Sequence, residues 1–336
     1  MSVPVASVLM PVRDAQDTIA QAIASIAAQT MRDLELVVVD DGSLDATTTI
    51  ALQAARDDPR IRVVRIPRQG LVPALQHGLA HCRGRWIARM DADDVAHPQR
   101  LADQIALAQA EGATVVGCLV RLLASDTPAP GMARYVEWVN TLIDHAAICR
   151  EMFVESPIVH PSALVDAAAL RAVGGYRDGP FPEDYDLWLR LYARGARFAK
   201  VPAIRLDWRD RPERLTRTDP RYATEAFRRL KVDALVRHVL GSRRQVQLWG
   251  AGKEGRRWLR ALHAAGVEVL RVYDIDPRKI GRRLRGQVPV VPWHEVRHHR
   301  DALVLVAVGA AGARPQIRQA LAAMGLHEGR DFLCVQ

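Results

Sequence analysis

Aromatic residues make up only 5% of this 336-residue chain, so its core has to rest on Val, Leu, Ile and Ala. The four cysteines (Cys82, Cys118, Cys149 and Cys334) are scattered without CxxC pairing. That argues against a structural zinc site and for a reducing compartment. No apolar run reaches the roughly 18 residues needed to cross a bilayer. The best one, Ala302 to Ala313, contains two glycines and is expected to be a buried strand and turn. The N-terminus lacks the basic stretch and apolar core of a secretory signal, so a soluble cytoplasmic protein is expected. Internal repeats and low-complexity segments are absent too.

What remains is ordinary globular material, 49% hydrophobic and 25% charged, with the length of two domains. The net charge of +9 is unevenly spread. Residues 1–240 hold 30 basic and 30 acidic side chains, whereas residues 241–336 hold 17 basic and 8 acidic ones. This step supports a boundary near residue 240. The excess fits either a solvated basic face or attraction to anionic lipid headgroups or a polyphosphate, which admits peripheral membrane contact. No recognition motif or basic-and-aromatic pattern accompanies it, so no nucleic-acid partner is expected.

The first 120 residues alternate between two periodicities. Val5 to Met10, Leu34 to Val39, Ile61 to Ile66, Trp86 to Met90 and Thr114 to Leu119 are strand-like. Asp17 to Gln29, a segment capped by Ser43 or Asp45 and running to about Asp57, Leu71 to His81, and a segment starting near Pro98 are helix-like. Alternation of this kind predicts a mainly parallel, doubly wound α/β sheet. Pro128 and Pro130 suggest a loop before a helix from about Tyr135, and a further helix is expected near Tyr185 to Arg194. Residues 205–220, rich in Arg and Pro, are expected to be irregular. The division predicted is 1–220, a helical linker at 221–242, and a smaller Rossmann-like α/β domain at 243–336.

Ligands of such sheets bind at the carboxyl ends of the strands. Three acidic clusters fall there: Asp40-Asp41 after Leu36 to Val39, Asp91, Asp93 and Asp94 after Trp86 to Met90, and Glu183, Asp184 and Asp186 ahead of a helix. Each alone has a bland explanation as a turn or a cap. Together, carboxylates crowding one sheet edge repel one another, and a divalent cation with a bound nucleotide relieves that cost. Oxygen ligands plus substrate phosphates suit Mg²⁺ or Mn²⁺.

Ser7 to Val12, Ala24-Ser25-Ile26 with Gln29-Thr30, Leu36 to Ser43, Gly70 through Gly84, and Ala88 to Asp94 together resemble family 2 glycosyltransferases. These are inverting enzymes with the GT-A nucleotide-sugar fold. His160-Pro161-Ser162, Gly174-Gly175-Tyr176 and Glu183 to Arg190 resemble the acceptor-side half of the same domain, so the match runs over roughly residues 4–215. The resemblance implies a GT-A doubly wound mixed sheet and a nucleoside-diphosphate-sugar donor, UDP-linked by expectation. It also implies a glycan or lipid-linked acceptor, in the setting of bacterial cell-surface polysaccharide biosynthesis. Pro11, Val12 and Arg13 would line the nucleobase pocket, and Asp41 with Asp40 would meet base and ribose. Asp91, at the start of Asp91-Ala92-Asp93, would lie near ribose and metal, Asp93 on the metal, and Arg68 near the diphosphate or in solvent. Asp184 matches the catalytic base, with Glu183 as its neighbouring rival and Asp186 as a helix cap. His160 is open to substrate binding or a buried structural place, Trp188 to sugar stacking or packing, and Arg209 and Arg211 to phosphate contact. The chain departs from many relatives at Arg13-Asp14 and at Gln76. Acceptor choice would lie in residues 121–160 and 205–220.

Gly250, Gly252 and Gly255 form a GxGxxG pattern after Val246 to Trp249, and Asp274 ends the next strand. The spacing fits a dinucleotide fingerprint and equally a Rossmann-like turn that binds nothing. A nucleotidyltransferase is the competing enzyme class, but Pro11-Val12-Arg13-Asp14 is not a Gly-rich phosphate loop. The non-enzymatic alternative is a nucleotide-sugar sensor or scaffold.

Overall fold

The computed structural model describes residues 3–123, 130–211, 214–285 and 287–336; Pro128 and residues 212–213 lie outside this set. The chain forms two compact units, Met1–Cys149 with Pro157–Asp219, and Arg150–Ser156 with Pro220–Gln336.

The strands of the first unit are β1 (Ala6–Val12), β2 (Leu34–Asp41), β3 (Ile61–Ile66), β4 (Trp86–Arg89), β5 (Val95–Ala96), β6 (Val115–Leu123), β7 (Leu164–Asp166) and β8 (Phe198–Arg209). They form one sheet in the order β3-β2-β1-β4-β7-β6-β8-β5. β1 and β2 are buried along their whole length, as strands covered on both faces must be. The first four strands in this order run parallel, with Val12 opposite Asp40, Asp41 opposite Ile66 and Leu9 opposite Arg89. β7 is antiparallel to both β4 and β6, and β8 is parallel to β6. One sheet edge therefore collects the carboxyl ends of β1, β2, β3, β4, β6 and β8 and the amino end of β7. The sheet is thus mixed, with six strands running one way and β5 and β7 against them.

Residues 205–220 are not uniformly irregular, because β8 runs for twelve residues through Arg209. Its pairing with β6 shifts register between Val201 and Ile204, which accommodates Pro202, a residue with no amide to donate. β5 and β7 are too short to show a period. The segment Gln29-Thr30 has a clear packing role. The Gln29 side chain donates to the His97 carbonyl (2.8 Å) and accepts from the Leu101 amide (3.0 Å), tying the helix Ile19–Ala27 to the chain just beyond Asp94.

Lys200 on β8 is 2% exposed and points its ammonium at the carbonyls of Val139 and Pro157. Burial pushes its pKa down to about 7, with nearby Cys118 opposing. Between that value and the ordinary lysine range the unfolded chain binds a proton that the folded chain has released. Stability therefore rises with pH across the window from about 7 to about 10. Urea unfolding at several pH values should show this rise in the wild type and a flatter profile in Lys200→Met. Equal slopes in the two proteins would contradict it.

The second unit holds β9 (Gln245–Trp249), β10 (Glu268–Asp274), β11 (Arg283–Leu284), β12 (Val288–Pro292), β13 (Leu303–Val306) and β14 (Phe332–Cys334), in the order β11-β12-β10-β9-β13-β14. All but β11 are parallel to their neighbours. Segment 150–156 belongs here through Glu151, whose carboxylate receives Arg314 at 2.8 Å and Arg318 at 2.6 Å. After β9 the chain turns at Gly250 (φ 113°) into the helix Lys253–Ala264. A Cβ on Gly255 would stand 1.6 Å from the Gly250 carbonyl oxygen, so only glycine allows this close approach of helix and loop. Gly255→Ala should cost at least about 1–3 kcal/mol by overpacking. Denaturant unfolding checks this, and an unchanged midpoint would contradict it.

Candidate active site

The loops at the collecting edge are latched to one another before any ligand is considered. Pro11 and Val12 are buried, while Arg13 is exposed and pairs with Asp14 at 3.2 Å. Asp14 has a positive φ of 47°, a conformation that Asp tolerates better than most residues. Its amide donates to Ser43 Oγ (3.0 Å), and its carboxylate accepts from the Leu44 amide (2.9 Å). The loop after β1 is thereby fastened to the loop after β2. Asp45 accepts from the Thr47 amide at 2.9 Å, ahead of the helix Thr47–Asp57.

Asp40 and Asp41 do different work. Asp40 is fully buried, and its oxygens accept from the Ser43 amide (2.9 Å) and the Thr48 hydroxyl, with Arg65 at 3.7 Å. It holds its own loop from below. Asp41 accepts from the amides of Gln69 (2.6 Å) and Gly70 (2.8 Å), fixing the entry to the helix Leu71–His81. A Cβ on Gly42 (φ 70°) would come within 2.9 Å of the Arg68 amide, so these two loops touch backbone to backbone. The Arg68 side chain is exposed at this rim.

Asp91, Asp93 and Asp94 offer carboxylate oxygens that lie within 4.8 Å of one another. Asp91 and Asp93 are half-buried, and Ala92 between them is buried. Burial and the neighbouring Asp91 push the Asp93 carboxyl up, against the pull of Arg211 and Arg214. Asp94 is raised well above the usual carboxylate range by burial and by both neighbouring aspartates. Its Oδ1 accepts from the Arg209 amide (2.8 Å), while its buried Oδ2 has no hydrogen-bond partner among the described residues. An orphaned oxygen beside two further carboxylates fits a bound cation, since leaving a buried acceptor unmet is costly. Arg209 Nε donates to the Asp93 carbonyl (2.7 Å), and the Arg211 guanidinium sits 3.3 Å from the Asp93 carboxylate. Both arginines therefore face the acidic group.

On the other side of β4, Arg89 is 3% exposed and its Nη1 donates to Asp91 Oδ1 at 2.5 Å. His160 is buried as well. Its Nε2 lies 3.2 Å from the Tyr176 hydroxyl and its Nδ1 3.5 Å from Glu183. Burial and then Arg89 hold the imidazole below its ordinary pKa, while Glu183 and Asp91 pull the other way. Trp188 is completely buried, edge-on to His160, so it packs and does not face a sugar. Gln76 donates to the carbonyls of Gly174 (3.2 Å) and Tyr176, securing this segment to the helix Leu71–His81.

The helix Glu183–Ala193 starts beside this group, with three acids in its first turn. Its amino end favours negative charge. Glu183 is 2% exposed, whereas Asp184 is half-buried and accepts from the Tyr185 amide at 2.7 Å. Asp186 is not the helix cap. The capping position is Pro182, and the Asp186 carboxylate is wedged between Arg177 and Arg190.

In the second unit, Asp274 is 6% exposed and already engaged. It accepts from the amides of Ala251 (2.7 Å) and Asp276 (2.8 Å), and Lys279 lies 3.3 Å away. The side chain at the fingerprint's ribose position thus holds the loop containing Gly250 and Gly252. Arg89 is the site residue that sequence reasoning passed over, whereas Asp94 stands in the acidic cluster found there but without a role of its own. A charged residue on an otherwise apolar strand was the available signal for Arg89.

The family model described as "Glycosyl transferase family 2" matches residues 7–171. The putative glycosyltransferase EpsE of Bacillus subtilis is 33% identical over 211 residues, 58% of this chain and 69% of that protein. The succinoglycan biosynthesis protein ExoU of Rhizobium meliloti is 33% identical over 57% of this chain and 58% of its own length. The crystal structure of S. aureus TarS 1–349 in complex with UDP-GlcNAc shares the fold at TM-score 0.54 and 17% identity, over 70% of this chain and 68% of that one. In a further crystal structure of TarS the share of that chain is 40%. The mannosyltransferase PcManGT from Pyrobaculum calidifontis, in complex with GDP-Man and Mn²⁺, matches at TM-score 0.51 and 21% identity, over 79% of this chain and 70% of that one. With the strand-end carboxylates and a GT-A-like sheet in place, these matches establish that the chain belongs to glycosyl transferase family 2.

Proposed function

We propose that this protein moves a sugar, with inversion, from a nucleoside-diphosphate-sugar to a hydroxyl of a glycan or lipid-linked acceptor in bacterial surface polysaccharide assembly. The carrying observation is the convergence of Asp91, Asp93 and the orphaned Asp94 oxygen at the edge where the helix Glu183–Ala193 begins. UDP is the favoured nucleotide, in line with the UDP-GlcNAc complex of TarS. The polysaccharide setting follows the name of ExoU. No helix among the described residues is long and apolar enough to cross a membrane.

Asp91 and Asp93 would hold Mn²⁺ or Mg²⁺, with Asp94 beneath them. The ion supplies positive charge to the departing diphosphate. Val12, Arg13 and Asp41 would meet the nucleoside, on loops already fixed by Asp40 and Asp14. Asp184 accepts the proton of the acceptor hydroxyl as its oxygen bonds to the anomeric carbon and the bond to the diphosphate breaks. Glu183, sealed against His160, leaves that role to its neighbour.

Saturating Mn²⁺ with UDP should raise the melting temperature, because a ligand bound only to the native state stabilises it. Asp93→Asn should lose that rise. Asp184→Asn should keep it, while slow Mn²⁺-dependent hydrolysis of UDP-GlcNAc falls by about 10²–10⁴-fold. Undiminished hydrolysis in Asp184→Asn would overturn the base assignment, and a melting temperature indifferent to Mn²⁺ and nucleotide would overturn the donor site.

A further inference from the structure

The helix Lys253–Ala264 of the second unit carries surplus positive charge on its outward face. Lys253, Arg256 and Arg260 are all exposed, and none of the three side chains has an ion-pair or hydrogen-bond partner among the described residues. The neighbouring acids are engaged by other cations. Glu254 holds buried Arg228 (2.9 Å) and Arg257 (2.5 Å), and Asp276 holds Arg278 (3.1 Å) and Lys279 (3.7 Å). The placement is unfavourable for the chain by itself. Lys253 and Arg256 are three positions apart and Arg256 and Arg260 four, so like charges are neighbours on the helix surface. The first two also stand in the first turn, at the positive end of the helix dipole. No acid three or four positions from any of them relieves either cost.

An apolar tip lies beside the start of this helix. Ile275 directly follows β10 and is 72% exposed, with exposed Pro277 two residues on. The Ala251 amide donates to Asp274 (2.7 Å), which ties the loop entering the helix to the loop bearing Ile275 at one edge of the second sheet. An exposed apolar side chain beside unpaired cations suits the boundary of an anionic bilayer, where the one enters the headgroup region and the others meet phosphates. The cationic row runs roughly 10 Å along the helix, longer than one small phosphate needs.

We infer that the outward face of the helix Lys253–Ala264, with Ile275 beside its start, is a docking surface for an anionic lipid bilayer. The inference concerns the second unit alone and stands independently of the sugar transfer proposed above. Lipid-linked molecules reside in such a surface, so docking raises their concentration around the chain.

The test is sedimentation of the full chain with vesicles of phosphatidylcholine alone, or of phosphatidylcholine and phosphatidylglycerol in equal amounts. The wild type should sediment with the mixed vesicles only, and rising salt should release it. Replacing Lys253, Arg256 and Arg260 together by Gln should weaken partitioning by about a hundredfold. Ile275→Ser, made separately, should weaken it by about tenfold. A control that removes the same charge from the first unit, with Arg56, Arg85 and Arg194 replaced by Gln, should leave it nearly unchanged; these three are exposed too. A wild type that ignores the mixed vesicles overturns the inference, and so do equal losses in the two triple variants, which would reduce the effect to net charge. Release by inorganic pyrophosphate at matched ionic strength would overturn it in favour of a small-anion site. A helix variant that melts well below the wild type also counts against it, because relieving repulsion among these cations should not destabilise the chain. Hydrolysis of UDP-GlcNAc without vesicles reports separately on the proposed function.

Discussion

Mutual repulsion among carboxylates at one edge of the first sheet is the constraint around which this fold is organised. Three of them bring their oxygens within 4.8 Å of each other, and one has a buried oxygen with nothing to receive among the described residues. Such a grouping is unfavourable by itself, since each charge raises the pKa of its neighbours and burial adds to the penalty. The arrangement persists because arginines surround it, Arg89 from within the sheet and Arg209 and Arg211 from the end of β8. These contacts offset part of the charge.

The remainder of the edge is rigid for a related reason. Asp40 spends an acceptor on an amide of its own loop, while Asp41, Asp14 and Asp45 spend theirs on backbone amides of adjoining loops. Anchored this way, the loops after β1, β2 and β3 present a preformed rim instead of ordering on binding, which spares the conformational entropy that ligand capture would otherwise cost. The same economy appears in the second unit, where Asp274 spends both oxygens on loop amides.

Much of this was legible in the sequence because it depends on local pattern. The buried run Leu36 to Val39 followed by two aspartates, and the strand from Trp86 followed by Asp91-Ala92-Asp93, announce their positions through period and chemistry alone. Leu71–His81 is likewise a helix that spacing suffices to find. Other features depend on partners distant in the chain. β7 is three residues long and owes its existence to β4 and β6. β8 is interrupted by Pro202 and rich in charge, so its pairing with β6 is invisible until the register shift is seen. The contrast between buried Glu183 and half-exposed Asp184 cannot be read from two adjacent acids, because it depends on where His160 lies. Arg89 ends the apolar strand β4, and its bond to Asp91 is not announced by that strand's period. The stretch 150–156 joins the second unit through Arg314 and Arg318, more than 150 residues later.

The proposed sugar transfer depends on a divalent cation among these carboxylates. A crystal of the full chain grown with Mn²⁺ and UDP, measured for the anomalous signal of manganese, addresses this directly. A single strong peak in coordination contact with Asp91 and Asp93, next to the nucleotide's phosphates, is the predicted result. Nucleotide density with no manganese among these side chains, or manganese bound elsewhere on the chain, would contradict it.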